Sequence, residues 1–480
     1  MKKISEILLS KKLSIITIIL FLFIVTPTIN ATISDNKTNY YNHKVFLDEA
    51  TTAGGSIYDL IIISPRKFKN ELRPLVNHKN SVGVRTKLVT LSEVYDQMFW
   101  HGRDKPEKIK YYIKTAIEEW GIRYVLLVGN FRLMPIRYCF NSDVGSGFDE
   151  PCFISELYYA DIYDECGEFS SWDTNNNGVY GEWFGNVSED PDIDLYPDIA
   201  VGRLACRNGL QVRTMVKKII KYETTTYGWE WFYKITVIAG DTYPESLNEN
   251  WTGYEGEENT LRVLENMSGF EPVKLWTSDD TLTGTKDVLR AINSGSGFLY
   301  FDGHANPFRW STHPPNDAET WIEGLSVLSM NRLKNKEKLP VCVVGGCHNL
   351  QFDVHLGKLR EDPWYLYTFI PECWGWKLTR KTGGGSIATI GCSGLGMTKE
   401  DKESFSGAGD YLEPSFFKQY GKNGINILGD TWAATISDYI DTYPIDWNTP
   451  AAEDYAIDAK TVQQWVLLGD PSLKIGGYDL

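Results

Sequence analysis

The sequence predicts an α/β protein built on parallel β-sheet, and two observations carry that prediction. Apolar runs of strand length alternate with longer stretches of helical spacing, beginning at "IYDLIIIS" (57–64) and still visible at "GSIATIG" (385–391). Alternation of this kind implies right-handed strand–helix–strand units whose strands lie parallel and covered on both faces. The chain is also long, at 480 residues, and 42% hydrophobic. That is enough apolar material for more than one core, so two α/β subdomains are expected, 57–230 and 231–480.

In the first series, "IYDLIIIS" reads as a strand and "RKFKNELRPLVNHKN" as a helix. "VRTKLVTL" is a strand, "EKIKYYIKTAIEEWG" a helix closed by Gly121, and "YVLLVGN" a buried strand. From Asn130 to Asp198 the pattern gives way to Tyr, Gly, Asp and Asn, which reads as a long insertion over the strand ends. "YPDIAVGRL" resumes strand character and "LQVRTMVKKIIKYE" is helical. The second series runs through strand "KITVIAG", helix "EENTLRVLENM", strand "PVKLW", helix "TKDVLRAIN" and strand "GFLYFDG". A helix is expected at "IEGLSVLSMN", then strands at "PVCVVGG" and "GSIATIG". Whether the two series form related halves or one wide sheet is left open by the pattern.

At the N-terminus, Lys2, Lys3, Lys11 and Lys12 precede an apolar run from Leu13 to Val25. This is the layout of a secretory signal, expected over 1–31, followed by a leader over 32–56. The expected location is therefore secreted or at the cell surface. Membrane contact is expected only through this segment, were it left uncleaved. Sequons at Asn36, Asn186, Asn250 and Asn266 are compatible with export. A net charge of −15 argues against nucleic acid as a partner. Eight cysteines in a chain this long are too sparse for a disulfide scaffold, and bridges among Cys139, Cys152 and Cys166 cannot be paired from spacing.

Two strand ends carry chemistry. In "GFLYFDGHANPFRW" (297–310) an apolar run stops at Asp302–Gly303 and His304 follows. In "LPVCVVGGCHNLQFD" (339–353) a second run stops at Gly345–Gly346 and Cys347 follows. Reactive groups in open parallel sheets gather beyond the carboxyl ends of the strands, so both side chains are expected on one rim. A thiol attacks as thiolate and a neighbouring imidazole can take its proton, which makes the pair a candidate for acyl transfer. The glycines leave room for a substrate, with the N–H groups of Ala305 and Cys347 as candidate oxyanion donors. Asp302 is expected to point away from the site, and Trp310 and Gln351 to border the cleft. Glu255, Glu257 and Glu258, after strand "KITVIAG", are candidates to orient His304 or to face a basic substrate side chain. The rival readings are a buried structural Cys and His, or a zinc site drawn from His304, His313, Cys347 and His348.

At these residues the chain resembles the gingipain-type cysteine peptidases, whose clan also holds caspases and legumains. "YFDGHANPFRW" and "PVCVVGGCHNLQF" resemble the family's His and Cys motifs, and "YVLLVGN", "YPDIAVGRL" and "LLGDPSLKI" resemble further stretches of it. The resemblance implies a caspase/gingipain-like parallel sheet flanked by helices, with Cys347 as nucleophile and His304 as catalytic histidine. It implies a peptide or protein substrate and leans toward cleavage after basic residues. Two positions depart from the family: Ala305 stands where it usually has Gly, and Gly346 where it often has Ala. A main-chain donor survives the first change only where no positive φ is needed.

"DTNNNGVYGEW" places Asp173, Asn175 and Asn177 at alternate positions before Gly178, with Glu182 close behind. This resembles the first half of a calcium-binding loop, so a structural calcium is expected there and no organic cofactor. The functional expectation is an exported cysteine endopeptidase. The alternatives are an inactive relative that binds peptides and a calcium-stabilised surface protein.

Overall fold

The computed structural model describes residues 57–143, 150–244, 252–355, 371–399 and 407–480. The expected signal (1–31) and leader (32–56) lie outside the described residues. β1 (Leu60–Ser64), β2 (Thr86–Thr90) and β3 (Tyr124–Val128) come first, joined by the helices Lys69–Ser81 and Lys105–Trp120. The second of these starts where the Asp104 side chain accepts the Glu107 N–H and stops at Gly121, whose φ is 65°. The insertion carries two antiparallel pairs, β4 (Arg137–Phe140) with β5 (Cys152–Ser155) and β6 (Trp183–Phe184) with β7 (Val187–Ser188). β8 (Ala200–Leu204) then completes a parallel sheet in the order β2-β1-β3-β8. Its strands are almost wholly buried, as expected of a sheet covered on both faces.

The second series starts again with β9 (Lys234–Ala239), β10 (Glu271–Trp276) and β11 (Phe298–Asp302). A small antiparallel sheet branches off as β12 (His304–Ala305), β13 (Arg309–Thr312) and β14 (Ile322–Ser326). β15 (Val341–Val344), β16 (Ala388–Cys392) and β17 (Trp465–Leu468) complete a six-stranded sheet in the order β10-β9-β11-β15-β16-β17. It is parallel except for β17. The first four strands of each series therefore follow one plan. The second strand lies on one side of the first, the third on the other, and the fourth beyond the third.

The two sheets abut at β8 and the segment after β17. A Cβ on Gly202 of β8 would stand 2.6 Å from Gly469 O and 2.9 Å from the Pro471 Cδ, so glycine is what lets these edges close. The joint is fixed by buried charge. Lys79 Nζ lies 2.7 Å from Glu223 and 2.9 Å from Asp470, and Glu223 also meets His78 at 2.8 Å. Burial works against the Lys79 charge, but the two carboxylates outweigh it and hold its pKa above the ordinary value. The "LLGDPSLKI" stretch thus supplies both the glycine and the acid of the joint.

One element differs from expectation. "IEGLSVLSMN" forms β14 and a short 3-10 turn (Ser329–Arg332) rather than a helix. Trp310 of β13 sits opposite Leu325, and a Cβ on Gly324 would come within 2.6 Å of its ring. Pairing beneath the fully buried indole outweighs the local helical spacing. Among the described residues no helix is long and apolar enough to cross a membrane. No disulfide joins Cys139, Cys152 and Cys166.

Candidate active site

His304 stands directly beyond β11, after Gly303 at φ 156°. A Cβ at 303 would lie 2.9 Å from the Trp310 ring, so the indole props the turn from below. Trp310 and Gln351, expected to border a cleft, are both buried. The imidazole Nε2 lies 2.6 Å from the main-chain oxygen of Thr242, which follows β9. A carbonyl can only accept, so Nε2 carries the proton and Nδ1 keeps its lone pair. Edge-on rings surround the imidazole: Trp321 at 5.3 Å, His313 at 5.8 Å and Tyr243 at 6.4 Å between centroids. Trp321 itself is exposed and leans on His313.

Cys347 sits in a sharp turn between Gly346, at φ 100°, and His348, at φ 54°. A non-glycine residue in the left-handed region beside a candidate nucleophile is strain held in place by its surroundings. Here the surroundings are Asn349 and Gly394. The His348 N–H donates to Gly394 O at 2.7 Å. The buried Asn349 amide donates to Gly346 O at 2.7 Å, with Val344 O and Gly345 O at 3.2 and 3.3 Å. Its oxygen accepts the Cys392 N–H at 3.0 Å, tying the turn to β16.

The two strand ends meet through main chain. A Cβ on Gly346 would lie 2.6 Å from Ala305 N, 2.7 Å from Gly303 O and 2.9 Å from the Ala305 Cβ. The thiol-bearing turn is therefore packed on the segment that carries His304. Ala305 pairs with Trp310, and the next residue, Asn306, bonds Arg309 O at 3.0 Å. Antiparallel pairs alternate between bonded and non-bonded, so the Ala305 N–H faces away from β13 and toward Gly346. Ala305 has no positive φ, so this donor does not depend on glycine. Among the described residues no acceptor takes the Cys347 N–H. The methyl of Ala305 fills space that a methyl on Gly346 would need.

Both side chains favour their neutral forms. Burial pushes the Cys347 thiol up to about 11; the Gly396 main chain opposes this and the Glu150 charge adds to it. Burial also lowers the His304 pKa, against the pull of the Thr242 carbonyl and with a further push from His313. Behind them lies a row of buried acids. The Tyr300 hydroxyl sits between Asp302 (2.7 Å) and Glu413 (2.8 Å), and one proton cannot serve two carboxylates. Burial accordingly raises Asp302 to about 6, Asp410 to about 7, and Glu413 well above its ordinary value. Asp302 points to this row and not to the imidazole. It accepts from Asn259 at 2.7 Å and from the Thr242 hydroxyl at 3.2 Å.

The acids singled out in the sequence lie at the start of the helix Glu255–Asn266. Glu255 accepts the N–H groups of Thr252 and Gly253, the latter at 3.1 Å. Glu257 accepts the Ser278 N–H and hydroxyl at 3.0 and 2.5 Å, and Glu258 the Thr252 hydroxyl at 3.3 Å. None of the three is bonded to His304, whose Nε2 is taken by Thr242. The rings offered for zinc are also engaged: His313 Nδ1 lies 2.8 Å from Thr320 O, and His348 Nε2 lies 3.2 Å from Glu150.

In the "DTNNNGVYGEW" loop the alternate oxygens do turn inward, but toward hydrogen-bond donors. Asp173 accepts from the N–H groups of Asn177 and Gly178 at 3.0 Å each and from Arg103 at 2.5 Å. Asn175 accepts the Asn177 N–H at 3.0 Å, and the Asn177 amide donates to Glu182 at 2.6 Å. A calcium ion would compete with the Arg103 guanidinium for Asp173. Among the described residues no group of three or more His, Cys, Asp or Glu is placed to hold a metal.

Three parts of the site were not foreseen: the Thr242 carbonyl, the Asn349 brace and Glu150. A carbonyl has no sequence signature. Asn349 stands two residues after the thiol but looks like any loop Asn, and Glu150 lies far away in the polar insertion.

Comparison with known proteins agrees with this architecture. The model of a family described as "Peptidase family C25" matches residues 29–476. Gingipain R2 of Porphyromonas gingivalis is 21% identical over 296 residues, which is 61% of this chain and 32% of the relative. The chain thus spans about a third of the length of the curated gingipains it matches. An uncharacterised protein of Archaeoglobus fulgidus is 22% identical over 401 residues, 79% of this chain and 87% of its own. Among solved structures, the Arg-specific cysteine proteinase gingipain R superposes with a TM-score of 0.59 at 18% identity, covering 87% of this chain and 78% of the other. A complex of the pro- and mature domains of the same P. gingivalis enzyme gives 0.59 at 17% identity, covering 87% and 79%. These likenesses establish the caspase/gingipain-like α/β fold.

Proposed function

The chain belongs to peptidase family C25, and on that premise we propose that it is an exported cysteine endopeptidase with Cys347 as nucleophile and His304 as proton carrier. One observation carries the reading. The Gly346 turn is packed on Gly303 and Ala305, which supports a thiol and an imidazole working at one rim. With Nε2–H held by Thr242, Nδ1 is the free lone pair. Because both groups rest neutral, the thiol proton moves to Nδ1 as sulfur attacks the scissile carbonyl, not before. The carbonyl oxygen becomes an oxyanion facing the N–H groups of Ala305 and Cys347. As the tetrahedral intermediate collapses, the C–N bond breaks and Nδ1 returns the proton to the leaving amine. Water, deprotonated by the same nitrogen, then adds to the thioester and releases the acid and the thiol.

A preference for basic residues before the cut is part of the proposal. The gingipain R structure is described as Arg-specific, and here Glu150 lies near enough to the thiol to oppose its ionisation. Export rests on the Lys-flanked apolar run of residues 1–31, and a structural calcium on the loop at Asp173, where it would have to displace Arg103. The test is a peptide library offered to the purified protein and to its Cys347→Ala and His304→Ala variants. Cleavage by the parent that both variants lose supports the reading. Cleavage that survives Cys347→Ala refutes it, and saturable peptide binding without cleavage favours the inactive-relative alternative.

A further inference from the structure

The first sheet carries an opening that the peptidase reading does not use. At the carboxyl ends of β1, β3 and β8 lies a cavity of about 410 Å³, lined among others by Lys67, Asn130, Phe131, Arg132, Arg207 and His355. In the order β2-β1-β3-β8 the chain turns to opposite sides of β1, so β1 and β3 flank the switch point where open α/β sheets bind ligands. The loops are built together: Gly129 N–H bonds Leu204 O at 2.9 Å and Asn130 N–H bonds Cys206 O at 3.0 Å.

Among the described residues the lining is strongly biased in charge. Three fixed cations and a histidine converge there in a chain whose net charge is −15. Lys67 lies over the Phe68 ring at 5.1 Å and Arg132 over the Phe131 ring at 5.4 Å. Among the described residues neither is paired with a carboxylate. Arg207 has only a loose partner, Glu372 at 3.9 Å, and that carboxylate is shared with Arg380 and with Gln211 at 2.9 Å. Burial lowers the Arg207 pKa, with Glu372 opposing and Arg380 and Arg132 adding to it, as expected where positive charge is under-compensated. A second observation points to a ligand with a donor as well as a charge. Asn130 is 8% exposed and its Oδ1 is buried with no partner. A buried acceptor left unpaired is destabilising unless a ligand supplies an N–H or O–H. The tilted rings of Phe131 and His355, 5.3 Å apart, add an apolar wall.

An acidic polypeptide segment has all three attributes: carboxylates for the cations, main-chain N–H for Asn130 and carbon for the rings. We propose that this cavity binds such a segment. Its use as an exosite rests on the peptidase reading; binding itself does not. β8, β17 and β16 separate β3 from β15, so at about 4.8 Å per strand the cavity lies roughly 20 Å from the thiol along the rim. That is about six residues of extended chain, and the loop after Cys347 reaches the cavity at His355.

The experiment uses the full chain with Cys347→Ala, which separates binding from catalysis. A fluorescent Glu-rich octapeptide is titrated by anisotropy, beside its Gln twin and with inorganic phosphate as competitor. The Glu peptide should saturate, weaken with salt, and lose at least about tenfold in affinity in the double variant Lys67→Glu, Arg132→Glu. Both positions are exposed, so an unchanged melting temperature is expected and serves as the fold control. Asn130→Ala should cost about fivefold, the worth of one hydrogen bond. The Gln peptide should not bind. Absence of Glu-peptide binding, or binding indifferent to the double variant, overturns the proposal. Displacement by phosphate at the peptide's own concentration would reveal a small-anion site and overturn it as well.

Discussion

The two sheets follow one plan and end in different chemistry. In each, the third strand closes on a glycine at nearly the same φ, 146° at Gly129 and 156° at Gly303. The next residue is Asn130 in one and His304 in the other. Beyond the fourth strand, one sheet presents Ala205–Cys206–Arg207 and the other Gly345–Gly346–Cys347. The difference teaches that topology provides a rim, whereas backbone closeness decides what the rim can do. Where glycines bring the loops within van der Waals contact, the thiol-bearing turn packs directly on the segment that carries the imidazole. Where the loops are bonded at their base and leave a cavity above it, positive charge collects among the described residues.

The sharpest break of this comparison is removal of the reacting atoms. Cys347→Ala and His304→Ala should each reduce peptide hydrolysis by about a thousandfold or more, read as kcat/KM, with little change in melting temperature. Next comes the close contact itself. Gly346→Ala places a methyl 2.6 Å from Ala305 N at a φ of 100°. Activity should fall at least about a hundredfold, and Ala305→Gly in the same chain should return part of it by removing the 2.9 Å methyl contact. On the other sheet, Gly129→Ala meets the Met134 Cβ at 3.0 Å and the Leu133 Cβ and Met134 N at 3.3 Å, at a φ of 146°. It should lower stability by about 1–3 kcal/mol in urea melts while the folded fraction keeps its kcat.

Asn349→Ala leaves buried carbonyls unpaired behind the thiol. A loss of about 2–3 kcal/mol is expected, with kcat falling more than KM rises. The pH dependence separates a neutral pair from an ion pair. Burial places the His304 pKa below 6.5, so the acid limb of kcat/KM should fall below that value. Iodoacetamide labelling of Cys347 should keep rising toward about pH 11; a plateau already reached at pH 7 would mean a preformed thiolate.

The smallest effect belongs to the buried acids. Glu413 holds its proton above the ordinary 4.5, so the folded state binds more protons than the unfolded one as pH rises through that value. Its contribution to stability is full below 4.5 and is lost toward alkaline pH. Glu413→Gln should therefore leave the melting temperature unchanged at pH 4 and raise it at pH 8.

Much of the fold was legible because its signals are local. "YVLLVGN" and "GFLYFDG" are apolar runs too short for helices, and each ends in a glycine that forbids continuation. Asn208 and Asp104 announce their helices by side chains that reach only three residues along the chain. "IEGLSVLSMN" misled because the partner that makes it a strand, Trp310, lies outside any local window. The polar stretch 250–260 was legible as an acidic turn, but whether those glutamates face a substrate or cap a helix depends on Ser278 and Thr252 being within reach.

Sequence by itself determined that this is an α/β chain of two strand–helix series, with a histidine and a cysteine each placed beyond a glycine-ended strand. Periodicity, turn residues and composition act over a few residues and need no partner. Tertiary structure alone decided that the Thr242 carbonyl holds the imidazole, that the Gly346 turn closes on Gly303 and Ala305, and that three separate loops gather positive charge at the other rim. Each of these joins residues from different strands. Their meeting depends on strand order and register, which no stretch of sequence specifies on its own.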